Sequence, residues 1–166
     1  MNTTPALSIA LAKRNELAAV RTLVIQGLTE RWKSYDPSFN PDLEAFAEVY
    51  ASAVVVVAKE GDKLVGCGVL QKEAEGIGRI VRMSVRADRR RHGIGSAVLR
   101  ALLANAVELG YTEVVLETTA SWESAVSFYK GHGFVPTVIQ DGDQHFRFPL
   151  KRTEPDAPAN GAAPRR

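Results

Sequence analysis

Eighteen residues, GRIVRMSVRADRRRHGIG from Gly78 to Gly95, constrain this chain more than any other stretch. An apolar strand pattern (Ile80, Val81, Met83, Val85) runs into a cationic turn of Arg86, Arg89, Arg90, Arg91 and His92. The turn closes on Gly93-Ile94-Gly95, and the helical run SAVLRALLANAVELG begins at once. The first four N–H groups of a helix lack intrahelical partners, and the aligned peptide dipoles place about half a positive charge there. A glycine turn lets backbone approach a ligand with no Cβ in the way. Strand, glycine turn and helix start together predict a site for a phosphate-bearing ligand.

The surroundings narrow the choice. A chain of 166 residues fits one domain with a sizeable core. A net charge of +2 argues against a global nucleic-acid or membrane surface, since the basic excess is confined to Arg86–Arg91 and the tail. An arginine-rich nucleic-acid loop is the weaker reading, because so small a charge gives little counterion release. The single cysteine, Cys67, excludes an internal disulfide and a cysteine metal cluster, and its apolar setting predicts a buried thiol. No two histidines share a helical metal-ligand spacing, so no metal is expected. Apolar runs stay short of 18 residues and the start lacks a basic-then-apolar leader pattern, which makes the cytoplasm the expected location.

Read in order, Leu7, Ile9 and Leu11 alternate as a strand, and Asn15 is the expected cap of a helix from Glu16 to about Arg31. WKSYDPSFNP is a loop carrying three aromatics, and a second helix is expected from Pro41 with Leu43, Phe46, Val49 and Tyr50 on one side. Two strand runs around Glu60-Gly61-Asp62 predict a hairpin, as do two around Asp141-Gly142-Asp143. The long helix after Gly95 ends at Gly110, TEVVLET is a strand, and Ser121 is the expected cap of a helix through Lys130. The strand–helix–strand unit around the glycine turn requires a parallel pair, while the hairpins add antiparallel neighbours. The expected fold class is therefore α/β (α+β), one mixed sheet flanked by helices. The domain should cover 1–151, with 152–166 too poor in apolar groups to order.

Among phosphate sites, a P-loop would need Gly-Lys-Ser/Thr, and a dinucleotide fingerprint would need glycine where Val98 stands. The turn Arg90-Arg91-His92-Gly93-Ile94-Gly95 instead matches the (Arg/Gln)-x-x-Gly-x-(Gly/Ala) signature of the GNAT superfamily of acetyl-CoA-dependent N-acetyltransferases. About thirty residues on, Ala125-Val126-Ser127-Phe128-Tyr129-Lys130 and then Gly133-Phe134 resemble that family's second signature, Ala-x-x-x-Tyr followed by a glycine–aromatic pair. The resemblance runs from about Gly78 to Phe134.

It implies a mostly antiparallel twisted sheet of about seven strands, a central splayed parallel pair and about four helices. It also implies acetyl-CoA as co-substrate, moving an acetyl group to a primary amine of a small molecule or peptide in a ternary complex. Backbone amides around Arg90, Arg91, His92, Gly93, Ile94, Gly95 and Ser96 would hold the diphosphate. Met83 and Val85 would pair with the pantetheine arm, and an N–H near Met83 or Ser84 would polarise the thioester carbonyl. Tyr129 corresponds to the tyrosine that contacts and protonates the departing thiolate. Two departures stand out: Trp122 replaces a usual cofactor-contacting asparagine, and the strand before the turn lacks the usual acid. The candidate base is then Glu117, with Glu73 and Glu75 behind it. The missing acid also fits an alternative, a non-catalytic coenzyme A-binding regulatory module. The resemblance allows a homodimer and does not specify the acceptor.

Overall fold

Residues 3–151 are described by a computed structural model; the expectation for the tail lies outside them. Short alternating and β-branched runs become β1 (Leu7–Leu11), β2 (Val54–Glu60), β3 (Lys63–Ala74), β4 (Ile77–Val85), β5 (Glu113–Thr119), β6 (Val135–Gln140) and β7 (Asp143–Pro149). These form one seven-stranded sheet in the order β1-β2-β3-β4-β5-β7-β6. Only β4 and β5 pair in parallel. The hairpin between β6 and β7 turns on Asp141 and Gly142, both at positive φ (52° and 83°), as a two-residue hairpin with right-handed strand twist requires.

Helices cover both faces of the β2–β4 half. One core packs α4 (Ile94–Glu108) and α5 (Glu123–Gly131) through Val98, Leu99, Leu102 and Tyr129 onto Val56, Leu70, Ile80, Leu116 and Phe146. The other packs α1 (Leu17–Trp32), α2 (Pro41–Glu44) and α3 (Phe46–Val49) through Val20, Val24, Leu43 and Phe46 onto Val55, Val57, Cys67 and Val69. The valines of β2 are therefore buried on both faces, which is why that run shows no polar alternation. Burial also pushes the Cys67 thiol up to about 12, so the buried-thiol expectation holds.

Local starts and breaks differ from the sequence reading. A 3-10 turn at Arg14–Glu16 precedes α1, and Glu16 Oε1 accepts from the Lys13 N–H at 2.9 Å, so Asn15 is not the cap. The helix expected from Pro41 divides at Ala45 (φ −130°, ψ 45°), yet Leu43, Phe46 and Tyr50 still reach the core. Trp122 rather than Ser121 stands at the N-cap of α5.

The feature that builds the site is in β4. Its register with β3 passes from Val69↔Val81 to Cys67↔Ser84, so Arg82 and Met83 together oppose Gly68. This is a β-bulge, with Arg82 at φ 55°. A Cβ on Gly68 would lie 2.6 Å from Met83 Sδ and 2.7 Å from Leu102 Cδ1, so only glycine lets the bulged strand and α4 close here. The parallel ladder to β5 is short: Ile77↔Glu113, Gly78↔Val114 and Arg79↔Val115. Beyond them β4 stays with β3 while β5 continues with β7, through Thr119↔Asp143. A fork opens between the two strands.

Candidate active site

The phosphate turn crosses one lip of the fork. Arg91 (φ 64°) and Gly93 (φ 76°) both take the left-handed conformation on either side of His92, whose Nδ1 meets the Arg90 carbonyl at 2.8 Å. Alternating handedness turns successive amides toward one point and forms an anion-binding concavity. No side chain caps α4, and nothing lies within 4 Å of where a Gly93 Cβ would sit. The amides of the first turn of α4 are thus open to a ligand, and the fit to phosphate is good. The cationic side chains do something else. Arg86 pairs with Asp88 at 2.8 Å, Arg89 with Glu60 at 2.6 and 2.7 Å, and Arg90 with Glu30 at 2.7 Å. These guanidiniums brace the turn, so the anion site rests on the backbone.

Inside the fork, the Arg86 N–H donates to the Val65 carbonyl of β3 at 2.9 Å. Strand alternation then aims the N–H and C=O groups of Val85 and Met83 at the opposite edge, where β5 has left. Ser84 turns the other way, its Oγ under α1 and 3.4 Å from the Leu23 carbonyl. The Ser96 hydroxyl meets His132 Nε2 at 2.8 Å, while His132 Nδ1 meets the Phe128 carbonyl at 2.7 Å. With that carbonyl accepting, Nδ1 carries the proton and Nε2 accepts from Ser96. His132 therefore ties the start of α4 to α5, a role its place in a turn did not announce.

Tyr129 packs between Phe134 and Phe146 and is 8% exposed. Burial pushes its phenol up to about 12, with the charge of Arg31 working against that rise. No partner for its hydroxyl is found among the described residues, and no sealed, unpaired polar atom is found there either. The hydroxyl is therefore left without a protein partner while its ring is packed in the core.

Glu117 lies on the far arm of the fork, opposite His145 in the β5–β7 register. One carboxylate oxygen pairs with Arg79 Nη2, and the other is 3.7 Å from His145 Nδ1. Arg79 also reaches Glu73 at 3.3 Å. Glu75 points away, almost fully exposed, and meets only Lys72 at 3.3 Å. Of the three carboxylates considered as bases, Glu117 and Glu73 converge through Arg79 and Glu75 does not.

The bulge itself is held from the α1 face. Arg82 Nη2 donates to Asp42 Oδ1 at 2.6 Å, its Nε donates to Oδ2 at 2.9 Å, and Tyr50 donates to Oδ2 of the same carboxylate at 2.5 Å. Burial works to raise the Asp42 carboxyl, but Arg82 and Tyr50 outweigh it and hold it below its ordinary value. This pair spans forty residues of sequence, so no local pattern marks it.

A family model described as the acetyltransferase (GNAT) family matches residues 18–134, which include the bulge, the phosphate turn and Tyr129. The chain belongs to the GNAT family. Among relatives, N-acetyltransferase 8F1 of Rattus norvegicus is 33% identical over 114 residues, covering 64% of this chain and 52% of that protein. The uncharacterized N-acetyltransferase YsnE of Bacillus subtilis is 38% identical over 79 residues, covering 46% and 52%. The chain thus spans about half the length of the curated relatives it matches. A GNAT acetyltransferase structure from Staphylococcus aureus Mu50 superposes with a TM-score of 0.78 at 20% identity, covering 88% of this chain and all of that one. The PaiA N-acetyltransferase of Thermoplasma acidophilum, in complex with coenzyme A, gives 0.76 at 14%, covering 87% and 99%. At those identities the structures bear on the fold alone, and they agree with the seven-stranded GNAT sheet and its parallel β4–β5 pair.

Within this GNAT domain the sequence reading missed three residues near the fork, Asp42, His132 and Arg31, and Trp32, expected in an aromatic loop, is instead the last residue of α1. The two from α1 meet Trp122, where the family resemblance expects asparagine. Trp32 and Trp122 have ring centroids 5.2 Å apart, and the Arg31 guanidinium carbon lies 4.4 Å over the Trp122 ring.

Proposed function

We propose that the protein is an N-acetyltransferase that moves the acetyl group of acetyl-CoA to a primary amine by direct attack in a ternary complex. The observation that carries this reading is the fork itself: β4 backbone without a β5 partner runs into the turn that opens on uncapped helix amides. Acetyl-CoA supplies an acyl group already activated as a thioester. The amides from Arg91 to Ser96 hold its diphosphate, and Met83 and Val85 bind the pantetheine amides as an added strand would. Of the two N–H groups expected for this role, Met83 and Ser84, strand alternation turns that of Met83 toward the fork, where it receives charge that builds on the carbonyl oxygen.

The acceptor approaches from the α1 face, where the arm formed by β5 and β7 presents Glu117 and His145. As the C–N bond forms and the C–S bond breaks, Glu117 takes the amine proton, directly or through water. Tyr129 gives its phenolic proton to the sulfur and recovers one from solvent. Holding both reactants on one scaffold makes the attack effectively unimolecular, which is worth several orders of magnitude. The acceptor is a small molecule or peptide. No helix among the described residues is long and apolar enough to cross a membrane, and the cytoplasm is the proposed location. A second reading, a coenzyme A-binding module without turnover, is favoured by the missing acid in β4 and by the engagement of Glu117 with Arg79.

The first test is the melting temperature with acetyl-CoA, against NAD and ATP. A ligand at a hundred times its dissociation constant adds about 2.7 kcal/mol to stability, so acetyl-CoA alone should raise the melting point. A screen of amines that reads thiol release then separates the two readings. Stabilisation with turnover supports the enzyme, stabilisation without turnover on any amine supports the module, and no stabilisation defeats both.

A further inference from the structure

The last turn of α1 straps the mouth of the fork. At one lip Glu30 holds Arg90 of the phosphate turn at 2.7 Å. At the other, Trp32 and Arg31 lie against Trp122, the N-cap of α5. The charges do not cancel across this strap. Glu30 balances Arg90, whereas Arg31 has no carboxylate partner among the described residues. One positive charge is left between the two lips, resting on an indole face. Arg31 is exposed on this strap, and partial desolvation together with the charge of Arg90 lowers its guanidinium, so an anion arriving there meets a cation with no carboxylate paired to it.

The chemistry of the pair specifies which anion. A guanidinium stacked on an indole gives up one face and keeps its edge N–H groups free in a planar fork, the geometry that matches phosphate oxygens. The Tyr129 phenol, where the sulfur would sit, also feels Arg31. It lies seven residues further along α5, about 10 Å at 1.5 Å per residue. The phosphate turn, by contrast, is joined to the residue next to Arg31 by a direct ion pair.

We propose that Arg31, laid on Trp122, completes the diphosphate site from the α1 side, facing the turn amides across the mouth. The Arg31–Trp122 stack then stands where the family resemblance implies a cofactor-contacting asparagine. This inference rests on the coenzyme A reading of the fork.

The chain has two tryptophans, and they meet where the strap touches α5, so intrinsic fluorescence reports on that contact directly. Coenzyme A would be titrated into the wild type, Arg31→Gln and Arg31→Lys at about 50 and 300 mM salt, with thermal shift as a parallel readout of binding. The expected result is a fluorescence change in the wild type and affinity about tenfold weaker in Arg31→Gln, the size of one charged hydrogen bond. Arg31→Lys should recover part of it, and the gap should shrink at high salt because the lost term is a charge. Equal affinity in Arg31→Gln would overturn this inference and leave the coenzyme A reading standing. So would a loss that lysine does not relieve and salt does not narrow. A wild type with no response to coenzyme A by either readout would take down both.

Discussion

The two ends of β4 differ in what they pair with. From Ile77 to Arg79 the strand is hydrogen-bonded to β3 on one side and β5 on the other, as an interior strand should be. From Met83 to Val85 it keeps β3 and has lost β5. Nothing in the composition of the second half marks it as an edge: it is apolar, central in sequence, and covered by α1 and α4. The difference is made by one extra residue at Arg82–Met83, which redirects the strand, and by Asp42, which grips Arg82 from the other face. The zipped half contributes stability through ordinary ladder bonds. The forked half leaves polar backbone unpaired inside the molecule, a cost that makes sense where a ligand supplies the missing partners.

The sharpest way to break that contrast is at the far end of the fork. Tyr129→Phe keeps the ring packing against Phe134 and Phe146 and removes only the hydroxyl, so turnover should fall by about a hundredfold or more while the melting point barely moves. Because burial lifts the phenol to about 12, it stays protonated through the neutral and mildly alkaline range. The loss should therefore be equal at pH 7 and pH 9.5. The neutral buried phenol favours the folded state below the ordinary tyrosine value near 10, and that contribution is lost as pH rises from there through about 12. A full-rate phenylalanine variant would reduce Tyr129 to a core residue.

A smaller effect is expected at the bulge. Asp42→Ala leaves Arg82 half-buried without its carboxylate and Tyr50 without its acceptor, at a cost of about 2 kcal/mol in stability. The Asp42 carboxyl is held low in the folded state, so its stabilisation is complete above the ordinary carboxylate range and fades as pH falls through the lowered value. Urea unfolding at pH 7 and pH 3 should show the wild type and Asp42→Ala converging at the acid end. If the variant lost no stability but bound acetyl-CoA normally, the bulge would be set by β3 and Gly68 alone.

The smallest expected change tests the other arm. Glu117→Gln should cut turnover about tenfold with affinity for acetyl-CoA unchanged. Stability should shift by less than about 1 kcal/mol, because the Arg79 pair is partly exposed. Unchanged turnover would make Glu117 only a partner for Arg79 and leave proton removal to water.

Much of the site could be read in the chain because it is local. Arg90 to Gly95 encodes a helix start and a glycine turn within six residues, and the apolar spacing after Gly95 sets α4. The expectation there rests on backbone amides, and what the local pattern does not carry is that Arg86, Arg89 and Arg90 pair with Asp88, Glu60 and Glu30. The resemblance implies a role for Ser84 only through its backbone, and the fold adds that its side chain turns under α1.

By itself, then, the sequence determined most of the elements, the parallel unit and the uncapped helix terminus after a glycine turn, because these follow from periodicity and backbone chemistry over a few residues. Tertiary structure alone decided that β4 and β5 part after Arg79. It also decided that Asp42 pins the bulge, that Glu117 meets His145, and that Arg31 rests on Trp122. Each of these joins residues tens of positions apart, and their meeting depends on the summed packing of two cores on one sheet, which no short pattern carries.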